Sequence, residues 1–80
     1  MFKNGDIVFC TGDCEDNNTG GKLGIILDTW GSDFLMGFFV ELNKTNGSLG
    51  IYKKKYGSIK STWWIKGQLL KKGMTKNKFK

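Results

Sequence analysis

The fold is decided by Gly21-Lys22-Leu23-Gly24-Ile25-Ile26-Leu27-Asp28-Thr29-Trp30, a break at Gly31-Ser32-Asp33, and Phe34-Leu35-Met36-Gly37-Phe38-Phe39-Val40-Glu41-Leu42. Two runs rich in β-branched, leucine and aromatic residues flank a short Gly/Ser/Asp break, which is the pattern of two strands joined by a tight turn. In the second run the even positions Phe34, Met36, Phe38, Val40 and Leu42 are all apolar. Side chains of a strand alternate between its two sides, so this set predicts one core-facing side.

The same punctuation continues in both directions. Asp6-Ile7-Val8-Phe9-Cys10 reads as a first strand entered through Asn4-Gly5, and the polar stretch from Thr11 to Gly21 as a long loop. Beyond Leu42, Asn43-Lys44-Thr45-Asn46-Gly47 predicts a hairpin turn, because Asn-Gly tolerates positive φ at both central positions. A fourth strand is expected over Leu49–Tyr56 and a fifth over Ile59–Ile65, split by Gly57-Ser58. Lys66-Gly67-Gln68 then reads as a single turn and Leu69-Leu70 as a short closing strand. No segment keeps a helical apolar spacing over three turns. Five or six short strands predict an all-β domain, a small barrel or a sandwich. A barrel also removes sheet edges, which matters in a chain with no proline to protect them. The expected layout is one domain over residues 1–72 and a basic tail over 73–80.

Composition narrows what such a domain can do. The 80 residues include thirteen lysines but no Arg and no His. Without His, the commonest general base and the commonest zinc ligand are both missing. Without Arg, the bidentate guanine contact of sequence-specific DNA readers is missing too. The net charge of +6 is unevenly laid out. Residues 1–41 hold all seven acids against two lysines (−5), and residues 42–80 hold eleven lysines and no acid (+11). Such asymmetry points to an acidic partner, nucleic acid or an acidic protein surface. The alternative is a Lys-rich face that serves solubility alone. Neither a signal segment nor an apolar run long enough to span a membrane is visible, so a soluble, cytoplasmic protein is expected.

Gly5-Asp6-Ile7-Val8, a glycine-containing loop, and Gly21-Lys22-Leu23-Gly24-Ile25-Ile26 resemble the opening of SH3-like barrels that carry a KOW motif. Thr62-Trp63-Trp64-Ile65, a turn and Leu69-Leu70 resemble the end of small SH3-like proteins of bacteriophages. The resemblance covers roughly residues 3–72. It implies an SH3-like five- to six-stranded barrel with a one-turn helix near the C-terminus. The loop between Cys10 and Lys22 departs from the pattern, being longer, acidic and without the basic residues that family members use against RNA. SH3-like barrels serve RNA, DNA and peptide binding alike, so the resemblance implies a fold more than a function. If the source is viral, the expected compartment is the host cytoplasm.

Four groups of residues are candidates for chemistry. In Ile51–Lys66, aromatic rings are interleaved with ammonium groups. On a strand, Tyr52, Lys54 and Tyr56 would share one side and Lys53 and Lys55 the other. Single-stranded nucleic acid uses such a surface, its bases stacking on rings and its phosphates pairing with lysines. The expected contacts are Lys53, Lys54, Lys55, Lys60 and Lys66 for phosphates, with Tyr52, Tyr56 and Trp64 for stacking. The competing reading has Tyr52, Tyr56, Trp63 and Trp64 closing the barrel. Alternation allows at most one of the adjacent tryptophans to point fully inward and leaves the other at the surface.

The remaining groups are weaker. Cys10 and Cys14 could chelate a metal only with help from Asp13, Glu15 or Asp16, and two reduced thiols are the simpler reading. Asp13-Cys14-Glu15-Asp16-Asn17-Asn18 lacks the glycine and the closing bidentate Glu of a calcium loop, and reads as a solvated polar loop. Gly20-Gly21-Lys22 precedes a strand rather than a helix and is no phosphate loop. No nucleophile has a base beside it in any recognisable constellation, so no enzyme activity and no cofactor are expected. The sequence thus predicts a non-enzymatic module that binds RNA or single-stranded DNA with little sequence specificity. The alternative is a phage-type accessory protein or inhibitor docking on an acidic surface of a host protein.

Overall fold

A computed structural model describes residues 2–73. The strands are β1 (Ile7–Cys10), β2 (Lys22–Trp30), β3 (Asp33–Phe38), β4 (Ser61–Lys66) and β5 (Leu70–Lys72). One α-helical turn, α1 (Ser48–Tyr52), lies between β3 and β4, and a 3-10 turn (Gly67–Leu69) separates β4 from β5. All five strands form one antiparallel sheet in the order β4-β3-β2-β1-β5. The domain is therefore all-β, five antiparallel strands in one sheet, consistent with a small SH3-like fold and with the expected single turn before its last strand. Among the described residues no helix is long and apolar enough to cross a membrane. Apart from Gly73, the basic tail expected at 73–80 lies outside the described residues.

The connection from β4 to β5 forces the sheet to curl. Laid flat, five strands would set the outer two about 19 Å apart, at ~4.8 Å per spacing. The three residues of the 3-10 turn, rising about 2 Å each, span far less than that. The sheet therefore rolls until β4 and β5 approach each other, and Leu69 is pinned there by the Thr11 N–H (2.7 Å) and hydroxyl (2.9 Å), both donating to its carbonyl.

Rolling gives the sheet an inner and an outer face, and alternation assigns the residues. Val8, Cys10, Ile26, Phe34, Met36, Phe38, Ile65 and Leu70 form the buried inner core, edged by Phe2, Leu42, Trp63 and Leu69. Phe2 meets Phe34 edge to face at 5.6 Å. The even positions of β3 point inward as expected, but only to Phe38, where the strand ends. Val40 is exposed, and Leu42 reaches the inner core from a loop, its N–H donating to Ser61 Oγ at 2.9 Å. Two glycines let strands and cover approach closely. A Cβ on Gly24 would lie 2.7 Å from the Met36 methyl and closer still to the Gly37 carbonyl, and one on Gly37 would lie 2.8 Å from Ile59.

Two expectations fail between β3 and β4. Asn46-Gly47 makes no hairpin turn: Gly47 has φ −69° and leads into α1, so the positive-φ signal goes unused. Leu49–Tyr56 is a helical turn with a helical continuation rather than a strand. Asn46 Oδ1 accepts the Ser48 N–H (3.0 Å), and the Lys53 and Tyr56 amides donate to the carbonyls four residues back, Leu49 and Tyr52. Leu49, Tyr52 and Tyr56 are spaced i, i+3, i+7, the spacing that brings side chains to one side of a helix.

The loop over 11–21 is also more structured than its composition predicts. Asn17 (2% exposed) and Thr19 are buried. Asn17 Oδ1 accepts the Lys44 N–H (2.9 Å) and its Nδ2 donates to the Lys44 carbonyl (2.9 Å). Thr19 Oγ1 donates to the Gly12 carbonyl at 2.9 Å. At the tip, Asn17 N–H bonds back to the Cys14 carbonyl (3.2 Å) around Glu15 (φ 52°) and Asp16 (φ 61°), a two-residue turn with both central residues left-handed.

Candidate nucleic-acid interface

The candidate surface is the outer face of β2, β3 and β4 with the segment that covers it. From β4, alternation sends Thr62, Trp64 and Lys66 outward, opposite the inward Trp63 and Ile65. Outward residues of the other strands, Ile25 and Leu27 from β2 and Leu35 from β3, join Ile59 in a second apolar cluster. Residues 39–60 cross over this cluster and lay Leu49, Tyr52 and Tyr56 on it, with Phe39 and Trp64 at its margin. Thr62 anchors the crossing: its N–H donates to Thr45 Oγ1 (2.9 Å), its carbonyl accepts the Asn46 N–H (3.0 Å), and its hydroxyl bonds Asn46 Oδ1.

The structure places the expected contact residues unequally. Tyr52 and Tyr56 lie together on the outer cluster, half-buried, and do not alternate with Lys54 along a strand. The expected division, with Tyr52, Lys54 and Tyr56 on one side and Lys53 and Lys55 on the other, is overturned by the helical turn. Trp63 and Trp64 are each half-buried because both faces of β4 are covered, so neither ring stands free at the surface. Trp63 packs on the inner core and its Nε1–H donates to the Cys14 carbonyl at 3.1 Å.

The lysines divide in the same way. Lys53 Nζ donates to the carbonyls of Ile59 (2.7 Å) and Gly57 (3.2 Å), closing the turn over 53–59. Lys55 Nζ sits 5.4 Å from the Tyr56 ring centroid. An exposed contact of this kind is worth about 0.5–1 kcal/mol, less than a stacked base, so it does not block the ring. Lys54, Lys60 and Lys66 are exposed, and their ammonium groups make no hydrogen bond or ion pair among the described residues, although the Lys60 backbone N–H donates to the Phe38 carbonyl at 2.7 Å. The one ion pair among them joins Lys72 to Asp6 (3.8 Å) across the β1–β5 seam. The Asp6 carboxylate is held below its ordinary pKa, first by the Lys3 N–H it accepts (3.0 Å) and then by Lys72.

Two exposed apolar residues escape the sequence reading. Ile51 on α1 is 69% exposed and Trp30 at the β2–β3 hairpin is 77% exposed. Trp30 looks like an ordinary strand residue in sequence. Two features remove it from the core: a bulge between Ile26 and Asp28 shifts the β2 register, and the Gly31-Ser32 turn follows immediately. The register then sets Trp30 opposite Asp33, and Asp33 opposite Lys66, one row across the outer face. The next outer row is Asp28, Leu35 and Trp64. A tryptophan directly before Gly-Ser-Asp at a predicted strand end is the signal that could have found it.

Cys10 and Cys14 are free and buried, their thiols donating to the carbonyls of Gly12 (3.2 Å) and Trp64 (3.7 Å). No group of three or more Cys, Asp or Glu close enough to hold a metal ion occurs among the described residues. No protein-family model matches this chain, and neither a curated protein nor a solved structure matches it.

Proposed function

We propose that the protein is a non-enzymatic module that holds single-stranded nucleic acid, RNA or DNA, on its outer face. The observation that carries this reading is the run of exposed lysines in the same part of the chain as the partly buried rings of the outer cluster. Among the described residues Lys54, Lys60 and Lys66 have free ammonium groups, and Lys55 lies over the Tyr56 ring. Tyr52, Tyr56 and Trp64 border the cluster, and no acid follows Glu41 in the chain. Lysine is a point charge without the planar fork of Arg, so phosphate contacts of this kind bind without reading sequence. The resemblance of the chain's opening to KOW-bearing barrels is compatible with this use.

A labelled mixed-sequence oligonucleotide titrated across a salt series tests the proposal. Four phosphate contacts on a single strand predict a slope of log Kobs against log salt of about −3. Replacing Lys54 and Lys55 together by Ser should flatten it by about 1.4. Absence of binding at low salt, where a +6 protein should bind if it ever does, overturns the reading. The exposed Ile51 beside the Lys53–Lys55 run favours one second reading, docking on an acidic protein surface with Ile51 as the apolar anchor. In that case an acidic polypeptide should displace the oligonucleotide efficiently.

A further inference from the structure

We propose that Trp30 stacks a base of the bound single strand and supplies the largest single contact on this surface. The inference rests on the nucleic-acid reading of the outer face. Trp30 leaves 77% of its surface to solvent while standing on a two-residue hairpin held by paired strands. A large apolar ring presented on a rigid support loses little conformational freedom on binding, which makes it an efficient contact. It also shares a row with Lys66 and lies one row from Trp64.

The charges around the ring define how a strand would lie. Asp33 stands between Trp30 and Lys66, and Asp28 occupies the neighbouring row. Two carboxylates repel phosphates from the hairpin but leave the neutral face of a base free to approach the indole. The phosphates therefore keep to the lysine end of this row, at Lys66 on β4. A base reaches across β3 to Trp30, two strand spacings or about 10 Å away. This arrangement requires an unpaired base, because the bases of a duplex are stacked on one another and cannot lie on a protein ring.

The test uses the full chain with a fluorescein-labelled single-stranded oligonucleotide, and the variants W30A and W30F. Loss of one stacked base predicts that W30A weakens binding by about 5- to 150-fold. W30F, which keeps an aromatic face, should retain most of the affinity, and the salt slope should stay unchanged in both. Unlabelled duplex of the same sequence should compete poorly. At 77% exposure the ring contributes little to the core, so the thermal midpoint of W30A serves as the control for folding. Wild-type binding that W30A leaves within two-fold overturns the role of Trp30 and spares the lysine surface. Equal competition by duplex, or by polyglutamate, also overturns it. Failure of the wild-type protein to bind any oligonucleotide overturns the nucleic-acid reading itself.

Discussion

The acidic loop over 11–21 and the basic stretch over 49–56 are held by different means. The loop over 11–21 carries the acids Asp13, Glu15 and Asp16 and is fastened by polar side chains. Asn17 is buried and bonded to both backbone groups of Lys44, Thr19 is buried and bonded to Gly12, and Asn18 Oδ1 accepts the Asn43 N–H at 2.6 Å. The segment over 39–60 shares those bonds at Asn43 and Lys44 and is tied to Thr62 through Thr45 and Asn46. Its lysine-bearing stretch over 49–56, however, rests on apolar contacts, Leu49, Tyr52 and Tyr56 on the outer cluster. A polar fastening is all-or-none, because a buried donor or acceptor that loses its partner keeps the full cost of leaving water. An apolar fastening is graded with buried area and tolerates exchange. The acidic connection is thus the more specifically built, and the basic one the more adaptable. Adaptability suits a surface proposed to follow a flexible strand.

The largest effect should come from the polar fastening. Asn17→Ala removes three hydrogen bonds from one buried side chain, two to Lys44 and one from the Asn18 N–H (3.1 Å), and leaves the Lys44 groups half-covered. We expect a loss of about 2–3 kcal/mol in a urea titration. An effect below about 0.5 kcal/mol would show that the loop is merely solvated and would dissolve the contrast.

Lys53→Met should have a smaller effect, and of a different kind. The ammonium closes the turn over 53–59 by donating to Ile59 and Gly57, so its removal should cost about 1 kcal/mol. If Lys53 is structural and not a phosphate contact, the salt slope of oligonucleotide binding should stay as it is in wild type. A slope reduced as much as by a change at Lys54 would return Lys53 to the binding surface.

Much of this was legible in the sequence, and the failures have physical causes. The inner face follows from alternation in Phe34, Met36 and Phe38, and the 3-10 turn with its closing strand follows from Gly67 and the Leu69-Leu70 pair. Helix α1 is five residues long, too short for periodicity to declare itself, and no helix of that length is stable without tertiary packing. Its spacing, Leu49, Tyr52 and Tyr56, was present, but the Asn46-Gly47 turn signal and the Tyr/Lys alternation pointed toward strands. Asn17 and Thr19 were hidden by composition: a polar run reads as solvated, and only the partner carbonyls and amides from distant parts of the chain make burial affordable. The exposure of the candidate stacking rings is hidden for a related reason: residue type does not reveal how far residues 39–60 cover Tyr52, Tyr56 and Trp64, or that Trp30 escapes that cover.

The smallest effect should have the opposite sign. The tip of the acidic loop, Cys14-Glu15-Asp16-Asn17, needs positive φ at both central residues, and Asn-Gly or Asp-Gly is the usual solution. Asp16 is a tolerable choice at φ 61°, because a short polar side chain enters the left-handed region more readily than most. Glu15 at φ 52° is not, since its Cβ meets the following carbonyl at a cost of about 1–2 kcal/mol. Glu15→Gly removes that cost but gains chain entropy in the unfolded state, at about 0.5–1 kcal/mol. The net expectation is a stabilisation of about 0.5 kcal/mol, read as a raised urea midpoint with unchanged m-value. The measurement should be repeated at high salt, because removing an acid also raises the net charge and salt screens that contribution. A gain that survives screening belongs to the backbone and confirms a tightly defined turn. A gain that vanishes belongs to charge, and then the acidic connection is no better ordered than the basic one.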